Sequence, residues 1–192
     1  MVAATSITAA KHNEFVRDQV VSQFATAAAR NSAITSPVEG MICYNRGDDV
    51  VQVYNGSAWV TITPVGALVA TAETQAQNVA FAALATAGPA VTVETGTKAV
   101  IVVGAVVGAI GTACISRMGF VVSGATTLAA ANARAAVSVT SSGVGWPEST
   151  EKTIYYASLT AGSNVFTARY MTENTGTGVT WSDRTIMVIG IP

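Results

Sequence analysis

The residues that could carry chemistry in this chain are few. There is one histidine, two cysteines and eleven acids in 192 residues. A Ser-His-Asp or Cys-His arrangement would have to use His12. His12 lies in a segment that reads as a helix, with no nucleophile or orienting acid in its context, so it reads as a surface or interface histidine. Asp48 and Asp49 are adjacent in a turn-like stretch. Paired carboxylates serve hydrolysis when they face each other across a gap, but neighbours in a strand connection point apart, and Asp is a preferred turn residue. Glu94, Glu148, Glu151, Glu173 and Asp183 show no paired pattern. Cys43 and Cys114 are far apart, each in an apolar strand-like run, and read as buried free thiols rather than a disulfide framework or metal ligands. The Gly104–Gly108 spacing lacks the flanking residues that make a phosphate loop. Arg46-Gly47-Asp48 has the form of an adhesion tripeptide, but these are residues that a turn selects anyway. Trp146-Pro147, in a Gly/Ser loop, is the candidate ligand contact: an exposed aromatic platform for a sugar, or else a lid on its own core. Trp181 and Tyr170 carry the same two readings. The expectation is therefore a non-enzymatic protein with no cofactor and no metal site.

Composition points elsewhere. Half of the residues are hydrophobic, yet only 11% are charged and the net charge is −1. An ordinary globular domain carries roughly 25% charged residues. No Lys/Arg cluster provides the footprint of a nucleic-acid binder. Apolar side chains in excess of what one subunit can bury imply contact with other subunits. The depletion is deepest from Leu68 to Ala113, where Glu73, Glu94 and Lys98 stand almost alone. Residues 99–115 form the one membrane-like stretch, but Val100, Ile101, Val102, Val103, Val106, Val107 and Ile110 are β-branched and favour strands. Two buried strands with a bend between them are expected there, with no membrane span. Val100, Val102, Val106 and Ile110 are the expected strand contacts between subunits.

The elements follow from pattern. Thr8 is a candidate N-cap for a helix over residues 9–24, with Phe15, Val16, Val20 and Phe24 on one stripe that must pack on a partner. Residues 25–36 extend that helix or form a linker. Met41–Tyr44, Val50–Tyr54 and Ala58–Ile62 read as a three-stranded meander, with Asn55-Gly56 predicting a type I′ hairpin turn and Trp59 supplying the mini-core. Pro64-Val65-Gly66 marks a boundary. From Leu68 onward come strand-like runs at 90–94, 99–103, 105–110, 114–123, 135–140, 153–159, 164–171 and 185–191, separated by Gly/Ser/Asn turns. That spacing implies a β-sandwich of jelly-roll type. The opening Met-Val-Ala-Ala-Thr-Ser has no charged region before an apolar core, so synthesis in a cytoplasm without a signal peptide is expected.

Three passages carry a family resemblance. Ser6-Ile7-Thr8-Ala9-Ala10 through Asn13 to Val16-Arg17-Asp18 resembles an opening common in structural proteins of tailed actinobacterial phages. Pro37-Val38-Glu39-Gly40-Met41 leading to Tyr54-Asn55-Gly56-Ser57-Ala58-Trp59 resembles the hairpin unit of phage tail and fibre proteins. Thr95–Ala99, Met118–Gly124, Leu159–Thr167 and Arg184–Ile189, in that order, are similar to trimeric jelly rolls of the tumour-necrosis-factor and complement-head type. The resemblance implies a virion component, a homotrimer, with no catalytic residue to transfer.

The expected architecture is mainly β: an N-terminal helix and linker (1–36), a small β-meander (37–64) and an antiparallel jelly-roll sandwich (65–192). The N-terminal region would anchor the protein to other virion proteins while the jelly roll trimerises and projects outward, as a tail-associated protein. Capsid decoration and recognition of a host-surface glycan through Trp146 are the alternatives.

Overall fold

In the computed structural model the apolar run at the centre of the sequence is one strand of twelve residues, Lys98–Ala109, not two strands with a bend. The structure describes residues 8–11, 21–109, 114–140, 147–173 and 178–192. The strand continues through Gly104, paired with β12 on one side and β14 on the other. A Cβ added at Gly104 would sit 3.1 Å from the Thr150 carbonyl oxygen, so the glycine serves close packing rather than a turn.

Thirteen further strands, one α-helix and a short 3-10 helix (Asn132–Arg134) complete the named elements among the described residues. They are β1 (Ser22–Phe24), α1 (Ala27–Ala33), β2 (Ile42–Asn45), β3 (Val50–Tyr54), β4 (Trp59–Thr61), β5 (Val65–Val69), β6 (Glu73–Gln75) and β7 (Asn78–Ala82). Then come β8 (Ala90–Thr95), β9 (the Lys98–Ala109 strand), β10 (Cys114–Gly124), β11 (Ala136–Thr140), β12 (Glu148–Tyr156), β13 (Gly162–Glu173) and β14 (Val179–Ile191). Two five-stranded sheets form the sandwich. One runs β12-β9-β14-β5 with β6 also on β14; the other runs β11-β10-β13-β7 with β8 also on β13. From β8 to β14 the chain passes back and forth between them, as a jelly roll requires. The expected mainly-β sandwich is present.

The core lies between the sheets. Ile101, Val103, Val107, Trp181, Ile186 and Val188 point in from one, Met118, Phe120, Val122, Phe166 and Tyr170 from the other. Phe120 and Phe166 meet with ring centroids 6.1 Å apart, and Tyr170 and Trp181 at 5.1 Å. Trp181 and Tyr170 are thus core residues and not ligand platforms.

Several expected boundaries shift, each for a local reason. β14 begins at Val179 and not at Thr185, because an extra residue breaks its alternation: the register against β9 slips between Ser182 and Thr185, with Asp183 at φ 48°. β12 begins at Glu148, where the polar run Glu-Ser-Thr-Glu-Lys reads as a loop but pairs with β9 as an edge strand. β5 starts inside the supposed boundary at Pro64-Val65-Gly66, β6 is too short and polar to signal itself, and the alanines of β7 weaken its strand signal.

The N-terminal unit differs most. Thr8 does accept a hydrogen bond from the Lys11 amide at 3.3 Å, the expected capping bond. His12, Phe15, Val16 and Val20 lie outside the described residues. Phe24 is not on a helix. It ends β1, which runs parallel to β2 at the edge of a four-stranded sheet, and its carbonyl accepts from the Arg46 amide at 2.8 Å. The helix starts after it, with Thr26 capping the Ala29 amide at 3.1 Å. Residues 22–33, placed in the helix-and-linker segment by sequence, therefore build one sheet-and-helix unit with the meander. The Asn55-Gly56 turn is not type I′, because only Gly56 has a positive φ, 88°. Instead the Asn55 side chain accepts from the Ser57 and Ala58 amides at 3.1 and 2.9 Å, holding the turn itself.

Candidate functional site

β9 has apolar residues on both of its faces. Ile101, Val103, Ala105 and Val107 enter the core, and the alternate residues Val100, Val102 and Val106 look outward. Such two-sided strands are normally covered on both faces. The neighbouring strands extend the pattern across the sheet. Tyr155, Val100 and Ile189 lie in one cross-strand row, and Thr153, Val102, Met187 and Gly66 in the next. Glu151, Gly104, Thr185 and Leu68 form the third row; Ser149, Val106 and Ser182 form a fourth. Glu151 is the one charged group in these four rows. No other described part of the chain covers this face: Leu68 and Tyr155, on its opposite lateral strands, are 60% and 61% exposed.

The sheet is not flat there. A groove of about 390 Å³ lies between Leu68, Val102, Met187, Thr185 and Glu151, with Gly66 in its lining. An apolar face of this breadth, with a depression and exposed side chains at both margins, can associate with protein. Such contiguous apolar patches mark interaction sites.

Of the contact residues expected from sequence, Val100, Val102 and Val106 come together on this face. Ile110 lies outside the described residues, as does Trp146. Phe24 is elsewhere, lining a cavity of about 230 Å³ with Ile34 and Met41 at the end of α1. Sequence reasoning missed Leu68, Tyr155, Met187 and Ile189. The signal was available for two of them: Ile186-Met187-Val188-Ile189 is apolar at every position, the same two-sided pattern as residues 99–107.

A second arrangement fixes the N-terminal unit to one end of the sandwich. Arg30, on α1, is 2% exposed. Its guanidinium lies 4.7 Å from the centre of the Trp59 ring and donates to Glu94 of β8 at 2.9 Å. It also donates to Gln52, whose amide in turn donates to Glu94 at 2.5 Å. Cys43 lies beside this network; burial pushes its thiol up, with Arg30 opposing, so it stays protonated at neutral pH. Val60 packs under the sandwich, where a Cβ on Gly190 would sit 2.7 Å from it. A cleft of about 290 Å³ opens beside the clamp, lined by Asp48, Gln52, Thr61, Thr92, Glu94 and Ser163 among others. Asp48 and Asp49 do not act as a pair: Asp48 accepts from Asn45 at 2.6 Å, and Asp49 accepts from the Tyr44 hydroxyl. Cys43 and Cys114 are both buried and form no disulfide. Among the described residues no three His, Cys, Asp or Glu side chains converge as a metal site, and no helix is long and apolar enough to cross a membrane.

No known protein family and no curated protein matches the chain. Among solved structures, it is similar to Eiger TNF from S. frugiperda, at 10% identity over 67% of this chain and 93% of that one, with a TM-score of 0.41. It is also similar to a chain of the infectious bursal disease virus Gx strain, at 12% identity over 71% of this chain, with a TM-score of 0.36. The match spans 36% of that viral chain.

Proposed function

We propose that this protein is a non-enzymatic structural component of a tailed-phage virion, a homotrimer associated with the tail. Its N-terminal unit would attach to other virion proteins and its jelly roll would project outward. The observation that carries this reading is the uncovered apolar face of the β12-β9-β14-β5 sheet. Burying it against other copies gives assembly its driving force, at roughly 25 cal/mol per Å² of apolar area, offset by the ordering costs of association. The resemblance of residues 6–18 and 37–59 to phage tail proteins supports the virion setting. The clamp between Arg30 and Glu94 supports the division of labour, since it holds the attaching unit firmly on the projecting one.

Immunogold labelling of purified particles with antibody raised against the chain tests the setting. Label on the tail is expected. Label on the head would replace the tail reading by capsid decoration, and particles without label or the corresponding peptides would overturn the virion reading.

A further inference from the structure

We infer that the N-terminal unit and the jelly roll form one rigid body, locked by a socket in the sandwich that takes Val60. The orientation of one unit on the other is thereby fixed. This concerns the chain alone and holds whether or not the virion reading does.

Neighbouring units of a chain move on each other unless their interface prevents it. Three features prevent it here. The first is the linker. β4 ends at Thr61 and β5 begins at Val65, so three residues connect the units. Two of them are tied to β3: the Ile62 amide donates to the Val51 carbonyl at 3.0 Å, and the Thr63 hydroxyl accepts from the Val51 amide at 2.8 Å. The third, Pro64, has its φ fixed by its ring. A hinge needs residues that absorb changes in φ and ψ, and this linker has none to spare.

The second is the socket. Val60, on β4, is fully buried. Its two methyl groups face two glycines of the sandwich, Gly96 in the turn between β8 and β9 and Gly190 near the end of β14. A Cβ at Gly190 would lie 2.7 Å from Val60 Cγ1 and 2.7 Å from the Thr61 carbonyl oxygen. One at Gly96 would lie 3.3 Å from Val60 Cγ2 and 3.0 Å from Asn55 Nδ2. Neither glycine has a positive φ, so close approach of the β3–β4 hairpin, and not backbone conformation, is what calls for glycine at both. The third feature is the Arg30–Glu94 pair, which with Gln52 ties the units at a further point and opposes rotation about the socket.

Gly190→Ala separates the joint from the fold. On the sandwich side its Cβ meets the Glu94 carbonyl oxygen at 3.5 Å, an ordinary contact, whereas the docked hairpin has no room for it. The deciding experiment measures distances by double electron–electron resonance between spin labels at Ile42→Cys and Val137→Cys, both exposed and one in each unit. The native cysteines are buried and do not take the label. Labelled chains are diluted into unlabelled ones, so that only distances within a subunit are read. One narrow distance peak is expected. Gly190→Ala should replace it by a broad distribution while the near-ultraviolet circular dichroism of the buried Trp181 is retained. A broad distribution without that substitution overturns the rigid joint, and an unchanged narrow peak in Gly190→Ala overturns the socket. Should Gly190→Ala lose the Trp181 signal, Val60→Asp decides, since it leaves every sandwich residue native and a buried carboxylate without a partner would expel the hairpin. A broad distribution in that variant supports the socket and a narrow one overturns it.

Discussion

Removing Glu94 is expected to destabilise the protein more than removing its partner's charge, although Glu94 is the more exposed of the two. Arg30 is 2% exposed and Glu94 27%. Glu94→Ala leaves the guanidinium buried under Trp59 with only the neutral acceptors Gln52 and Asn31. Stranding a buried charge costs about 3–5 kcal/mol, and about 4 kcal/mol is expected here. Arg30→Met keeps the packing under the indole but removes the charge. It forfeits a cation–π contact worth about 1 kcal/mol and strands a carboxylate that water reaches, so about 2 kcal/mol is expected. The double variant has no stranded charge and should also lose about 2 kcal/mol, far less than the sum of the two singles. Urea unfolding followed by tryptophan fluorescence gives the three values. Hydrogen exchange at the Gln52 and Val60 amides tells whether the loss is confined to the N-terminal unit. A Glu94→Ala effect within about 0.5 kcal/mol of wild type, the range of an ordinary surface substitution, would refute the clamp. So would strict additivity in the double variant.

Burial pushes the Tyr170 hydroxyl from 10.0 up to about 12, with Arg184 opposing. The folded state therefore holds a proton that the unfolded state releases first. Stability should be indifferent to this group below pH 10, then fall by about 1.4 kcal/mol per unit as the pH rises toward 12. Tyr170→Phe should remove that part of an alkaline urea-midpoint series, and an unchanged series would contradict the assignment. Asn164 is fully buried and accepts from the Thr126 amide at 2.8 Å while donating to Thr95 at 2.8 Å and to the Thr160 carbonyl at 2.9 Å. Asn164→Ala should cost about 3 kcal/mol in chemical unfolding by leaving these groups without partners; a cost below about 1 kcal/mol would mean that the loops re-pair without it.

The sandwich was legible in the sequence because its central strands carry strong signals. β9, β10 and β13 are long, β-branched and bounded by glycine-containing turns. What failed was phase and polarity. At Asp183 one extra residue turns Arg184 inward, where it is fully buried, donates to Glu73 at 3.2 Å and to the Thr71 carbonyl at 3.2 Å, and holds the segment entering β6. No alternation survives that shift, so the first half of β14 read as loop. Phe24 failed for a different reason. Its helical spacing from Phe15 and Val20 is real, but the Thr26 cap and the parallel pairing with β2 are tertiary facts that local spacing does not contain. The candidate face was half legible. Valines on both faces of β9 announced an outer surface needing cover, whereas Leu68 and Tyr155 joined it only through cross-strand pairing of segments distant in sequence.

The claim on which the rest depends is that the outer face of the β12-β9-β14-β5 sheet is buried against copies of the same chain. The mass of the purified protein in solution, by light scattering after size exclusion or by native mass spectrometry, tests this most directly. The account predicts three times the 19.5 kDa chain mass, with Val102→Asp giving folded monomers. A wild-type protein that stays monomeric at high concentration would contradict it.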